Sequence, residues 1–122
     1  MKLLEIGSHR FTEVLVIDEP GAGNACHEYA IDKANNDDPS RPAGEYGYIR
    51  FQNGPVKESG VNGCFQEDLL AIVIHRLQCF QSGPFACREN AIALTKIEEA
   101  MHWLNARTQA RQNRGVEGTS IK

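Results

Sequence analysis

The chain lacks a strong charge of either sign and has no long apolar run. Its 122 residues hold 13 Lys and Arg against 16 Asp and Glu, which gives a formal net charge of −3. Proteins that coat nucleic acid or lie on membrane surfaces carry a clear cationic excess, so this balance argues against both classes. No stretch of about 18 apolar residues occurs, and the first residues hold no apolar core of signal-peptide length. We therefore expect a soluble protein that is not exported.

Sequence patterns that carry catalysis are also missing. The chain has no G-x-S-x-G, H-E-x-x-H, Walker or dinucleotide-binding motif. The four cysteines form no C-x-x-C pair and show no zinc-ligand pattern with a histidine, so free reduced thiols are expected. His27, His75 and His102 have no acid or nucleophile at a convincing spacing, and we interpret them as structural. These absences predict a binding protein without catalytic residues, metal or cofactor.

The N-terminal half shows the alternation of apolar and polar residues that is typical of half-buried strands. Residues 3–17 predict a β-hairpin or one long strand broken at Gly-Ser, and further strands are predicted near 26–33 and 45–52. The segment 35–44 is polar, holds two prolines and predicts an exposed loop. Residues 1–58 are therefore expected to form a small antiparallel sheet.

The C-terminal half changes to the three-to-four spacing of helices. A first helix is predicted from Gln66 to about Gln81, and a second from Pro84 to about Asn113, with Gly115 ending it. These arms form an antiparallel helical hairpin over 64–118. The predicted fold class is α+β, with a small N-terminal antiparallel β-sheet followed by a C-terminal helical hairpin in one domain of residues 1–122.

One face of the second helix has an apolar middle and polar ends. Its members recur in steps of three and four: Cys87, Asn90, Leu94, Ile97, Met101, Leu104, Thr108 and Arg111. We call this face the seam. Burying an unpartnered amide or charge costs about 1–3 kcal/mol or more, so a face that only had to pack would favour apolar residues at both ends. The two ends are therefore candidate functional sites.

The first candidate end combines an amide with an aromatic ring beside the hairpin turn. Asn90 fits a buried amide that sets the register of packed helices, as in coiled coils. It also fits a ligand-binding amide, because Phe80 lies across the turn and offers a stacking face for a planar base.

The second candidate end is a group of arginines. Arg107, Arg111 and Arg114 lie in one sector at the end of the second helix. Cations at this position complement the helix dipole and are often simply solvated. Guanidinium groups are also well shaped to bind phosphate.

The distance between these ends limits how they can act together. Asn90 and Arg107 are 17 residues apart on one helix. At a rise of about 1.5 Å per residue, they lie roughly 25 Å from each other. A small ligand cannot span that distance within one chain, so a shared site requires two chains packed head to tail along the seam.

Several segments resemble the phage Thoeris anti-defence family, whose hairpin is shared with the smaller phage anti-CBASS cyclic-nucleotide sponges. They are FQNGPVKESGVNGC (51–64), EDLLAIVIHRL (67–77), FQSGPFACRENAIALTKIEEAMHWL (80–104) and RTQARQNRGVEGT (107–119). The N-terminal sheet favours the Thoeris branch, because the shorter anti-CBASS proteins lack it. Phe65 stands where a capping Thr is common in the family, which puts the start of the first helix in question.

The resemblance implies a protein that binds nucleotide immune signals without degrading them. It implies glycocyclic ADP-ribose as the ligand, in pockets between two protomers, with Phe80, Asn90 and Arg107 as pocket residues and Arg111 and Arg114 as weaker candidates. It also implies assembly as a homodimer or as a hexamer built from three dimers, a separate site for cyclic di- or trinucleotides, and action in the host cytoplasm. Two alternatives remain: an enzyme that degrades such a signal, and a hairpin that binds another protein.

Overall fold

The computed structural model describes residues 1–7, 10–35, 38 and 40–122. The chain divides into two units, Met1–Cys64 and Phe65–Lys122. The first unit is an antiparallel sheet and the second consists of helices, which confirms the predicted α+β class.

The described residues of the first unit form a four-stranded sheet in the order β1-β2-β3-β4. The strands are β1 (Lys2–Leu3), β2 (Thr12–Val16), β3 (Glu28–Lys33) and β4 (Gly47–Arg50), and each neighbouring pair is antiparallel. β1 and β2 pair as the two arms of a hairpin, which is one of the two arrangements predicted for residues 3–17. Ser8, part of the predicted break, lies outside the described residues.

A buried carboxylate on β3 holds the end of the 35–44 loop. Asp32 is fully buried, and its Oδ1 accepts the backbone N–H groups of Gly44 at 2.9 Å and Glu45 at 2.8 Å. Its Oδ2 has no hydrogen-bond partner among the described residues. Alternation alone does not predict a buried acid here, because the partners are backbone groups of a loop. Residues 36, 37 and 39 of this loop lie outside the described residues.

A second carboxylate organises the segment before β3. Asp18 accepts the backbone N–H groups of His27, at 2.9 Å, and of Glu28, at 3.1 Å. Burial raises the pKa of the Asp18 carboxyl, but these N–H groups outweigh that effect and hold the pKa below its usual value. The buried His27 ring places Nε2 at 3.1 Å from the Ala22 carbonyl oxygen, so His27 has a structural role in this loop.

Side-chain amides fix the connector that follows β4. The Gln52 side chain accepts the N–H of Asn62 at 2.9 Å. The Asn62 side chain accepts the N–H of Asn53 at 2.8 Å and donates to its carbonyl at 2.7 Å. The short helix α1 (Val56–Ser59) lies between Asn53 and Asn62, and it was not predicted from the sequence.

The second unit contains two long helices, α2 (Gln66–Gln81) and α3 (Arg88–Asn113). The bounds of α2 agree with the prediction. Phe65 has no side-chain acceptor for the first turn, but its own N–H binds Asp68 Oδ2 at 2.9 Å, which is half of a capping box. Among the described residues, no helix has both the length and the apolar character needed to span a bilayer.

The turn between the helices is longer than predicted. The expectation that Pro84 begins the second helix is wrong, because α3 begins at Arg88 and Pro84 lies in a turn. The side-chain amide of Gln81 pairs with the backbone of Cys87, donating to its carbonyl and accepting its N–H, both at 3.1 Å. These two hydrogen bonds, which we call the Gln81–Cys87 clamp, hold the end of α2 next to the residue that precedes α3.

Candidate functional site

The seam predicted for the second helix is present on α3. Its positions from Asn90 onward are buried or half-buried: Asn90, Leu94, Ile97, Met101, Leu104, Thr108 and Arg111. Cys87 is exposed because it precedes the helix as its N-cap residue. The predicted packing face and its two polar ends are thus confirmed.

Burial along the hairpin is shallow. No residue of α2 is buried, and Arg111 is the sole buried residue of α3. Large apolar side chains point to solvent, including Ile72 at 64% exposure and Trp103 at 71%. Where such exposed apolar side chains adjoin one another, they commonly mark an interaction site.

Phe80 and Asn90 lie on either side of the turn. Phe80 is in the last turn of α2 and is half-buried, with the Arg76 guanidinium carbon 5.0 Å from its ring centroid. Asn90 is in the first turn of α3 and is also half-buried. Its side-chain amide has no hydrogen bond within the described part of the chain, so it retains both donors and an acceptor for a ligand.

Arg107 is an arginine near the end of α3 that has no partner within the described part of the chain. It is exposed, and it forms no hydrogen bond or ion pair with any described residue. A solvated guanidinium without a partner on its own chain is available to an incoming anion.

Arg111 is instead held by the segment that follows α3. Its Nε donates to Glu117 at 3.0 Å, and Nη1 donates to the Ile121 carbonyl at 2.7 Å. Nη2 donates to the carbonyls of Val116 and Thr119 at 3.0 and 3.1 Å. An arginine has five N–H donors, so these contacts leave one N–H on Nη1 for any ligand.

Arg114 is exposed at the C-cap of α3, and its Nη2 donates to the carbonyl of Lys122. Both Arg111 and Arg114 thus contact the last residues of the chain. The role of Arg111 in ordering this segment was not visible in the sequence, because its acceptors are mostly backbone carbonyls.

The hairpin brings two of the predicted residues together and keeps the others apart. Phe80 and Asn90 flank one turn, whereas Arg107 is 17 residues further along the unbroken helix α3. The rise of a helix puts Arg107 about 25 Å from Asn90. A single hairpin therefore does not place the aromatic, amide and arginine around one small ligand.

Two neighbouring pairs on α2 were missed from the sequence. Arg76 covers the Phe80 ring, and His75 Nε2 lies 3.8 Å from the Cys79 sulfur. Both pairs are spaced i, i+4, which is the signal that could have revealed them. No group of three or more potential metal ligands occurs in the described residues, so His75 and Cys79 stand as a pair.

Comparison with known proteins gives two agreeing results. Residues 44–109, more than half of the chain, match the family described as Acb2/Tad1, hairpin domain. The chain is also 59% identical over 80 residues to a protein of Bacillus phage SBSphiJ7 named Thoeris anti-defense 1. That alignment covers 66% of this chain and 56% of the relative, so the chain matches little more than half of the relative's length. Residues 44–109 include the turn, α2 and most of α3, and on this ground the chain belongs to the family of the Acb2/Tad1 hairpin domain.

Proposed function

We propose that this protein is a phage anti-defence sponge, which binds the Thoeris signal glycocyclic ADP-ribose and withholds it without degrading it. Each site takes Phe80 and Asn90 from one chain and Arg107 from a second chain. The observation that carries this proposal is the unbroken helix α3, which separates an unpartnered amide from an unpartnered guanidinium by about 25 Å. Two copies packed head to tail bring these groups together twice.

The chemistry of the groups fits a dinucleotide-like ligand. A phenylalanine ring stacks on the adenine base, and the Asn90 amide can both donate to and accept from a base or ribose. The exposed guanidinium of Arg107 suits the diphosphate. Arg111 and Arg114 are secondary candidates, because their contacts with the C-terminal segment already use many of their donors.

Sequestration requires slow release and no bond cleavage. We found no catalytic pattern in the sequence, which favours binding over turnover. The exposed apolar residues of the hairpin, including Ile72 and Trp103, support assembly with further copies. A homodimer satisfies the shared site, and a hexamer of three dimers, with a separate site for CBASS cyclic di- or trinucleotides, is compatible with it.

Calorimetry with glycocyclic ADP-ribose tests the binding, and recovery of the ligand tests the absence of chemistry. We expect one ligand per chain, and intact ligand after the protein is denatured. Degraded ligand would instead identify an enzyme. No binding of this ligand together with capture of a host protein would identify an interaction domain.

Mixing variants tests whether two chains share the site. Phe80→Leu and Arg107→Ala should each abolish tight binding alone. Refolding an equal mixture should recover about a quarter of the wild-type sites, because half of the pairs are mixed and each mixed pair has one intact junction. A mixture that recovers nothing, although mixed pairs form, would contradict the shared site.

A further inference from the structure

We infer that Arg76 is a further ligand-binding residue, whose guanidinium stacks on the outer face of the base that Phe80 supports. This inference rests on the proposed function, because it takes Phe80 as the stacking platform. It adds a cation to the aromatic end of the site and would make that end selective for a planar, electron-rich base.

The geometry places Arg76 at the ring of Phe80. The two residues are spaced i, i+4 on α2, so their side chains occupy the same face of the helix. The guanidinium carbon is 5.0 Å from the ring centroid, within the roughly 6 Å range of a cation–π contact. In the unliganded chain, one face of the candidate platform is therefore covered by a planar cation.

Little else holds Arg76 in this position. The residue is exposed, and it forms no ion pair with a carboxylate of the described residues. Moving its head group away from the ring breaks one exposed cation–π contact and leaves no buried charge unpaired. Such a cation can yield to a ligand without disrupting the helix beneath it.

The same helix face carries a partly exposed apolar side chain next to Arg76. Val73 lies one turn before Arg76 and is 40% exposed, so Val73, Arg76 and Phe80 form a continuous strip along α2. A base that inserts above Phe80 displaces the guanidinium by about one stacking distance, roughly 3.5 to 4 Å. The flexible arginine stem can make this movement, after which the base lies between an aromatic ring and a guanidinium plane.

Calorimetry with glycocyclic ADP-ribose on wild type, Arg76→Ala and Arg76→Lys tests this inference. We expect Arg76→Ala to weaken binding about 5- to 30-fold, the range of a partly desolvated cation–π contact. Arg76→Lys should remain at least about threefold weaker than wild type, because an ammonium keeps the charge but lacks the plane. Lys96→Ala is the control, since Lys96 is an exposed cation of the same hairpin that lies 3.8 Å from Glu99, and its affinity should stay within about twofold of wild type.

The outcomes separate this inference from the function on which it rests. Thermal melts should match among all four proteins, because both substituted side chains are exposed. If wild type binds and Arg76→Ala or Arg76→Lys binds equally well, the role of Arg76 is rejected while the sponge function stands. If wild type itself fails to bind glycocyclic ADP-ribose, the proposed function is rejected first and the inference with it.

Discussion

At the scale of single residues, Arg111 shows how a side chain chosen for one role can have another. Its position at the polar end of the seam marked it from the sequence as a candidate phosphate ligand. The structure directs four of its donors to residues between Val116 and Ile121, which makes it the anchor of the segment after α3. Its part in ligand binding remains a proposal, limited by the one donor that is left.

The anchor role predicts a loss of stability when the guanidinium is removed. Arg111→Ala should lower the free energy of unfolding by about 2 to 4 kcal/mol, because it leaves the Glu117 carboxylate and the carbonyls of Thr119 and Ile121 without their hydrogen-bond donor. Urea unfolding followed by circular dichroism measures this change.

Arg107→Ala provides the matched control for that measurement. Arg107 is exposed and unpaired within the described residues, so its removal should change stability by less than about 0.5 kcal/mol. Equal stability of Arg111→Ala and wild type would refute the anchor role.

At the scale of elements, periodicity predicted the helices well and the connections poorly. The bounds of α2 and the seam of α3 follow from apolar spacing that only a helix satisfies. The start of α3 did not follow, because proline suits both the first helical position and the second position of a turn. In the structure Pro84 takes the turn position, and the Gln81–Cys87 clamp holds the chain so that α3 begins after Cys87. The clamp pairs residues six apart in sequence, which apolar spacing does not reveal.

The connector into α2 gives a prediction about a close backbone contact. A Cβ at Gly63 would lie 2.5 Å from the carbonyl carbon of Phe51 and 2.6 Å from the carbonyl oxygen of Arg50. Both are backbone atoms and cannot easily move, because the Arg50 carbonyl oxygen accepts the N–H of Cys64 at 2.8 Å and the Gln52 N–H donates to the Cys64 carbonyl at 2.8 Å. Gly63→Ala should therefore destabilise the protein by about 2 to 4 kcal/mol in urea unfolding.

Gly23→Ala separates this steric effect from backbone conformation. Gly23 has φ +70° and ψ 11° but no heavy atom within 4 Å of an added Cβ. Its substitution should cost about 1 kcal/mol, which is the penalty of a left-handed conformation alone. If both substitutions cost the same, close packing at Gly63 is not the cause.

At the scale of the whole molecule, the hairpin leaves several large apolar side chains open to solvent, including Ile72, Ile92 and Trp103. Ala30 is the one buried apolar residue among those described, and it belongs to the sheet unit. The sequence predicted an apolar seam but could not show how incompletely a single partner helix would cover the hairpin. That depends on burial in three dimensions and not on spacing.

This surface predicts a stability that depends on protein concentration. If copies associate through the hairpin, mass action should raise the melting temperature by several degrees between about 1 and 100 µM protein. Scanning calorimetry over this range, with light scattering for mass, measures both quantities. A single-chain mass with an unchanging melting temperature would contradict association and, with it, the two-chain site.

The Gln81–Cys87 clamp has a practical consequence. The clamp joins α2 to the start of α3, so residues 82–86 of the turn are not needed to hold the two helices together. Phe85 in this turn is 73% exposed. A dye attached at position 85 would be carried at the rim of the Phe80 and Asn90 end with little disturbance to either arm. Position 85 is therefore a suitable labelling site, and a change in the fluorescence of the dye would report ligand binding.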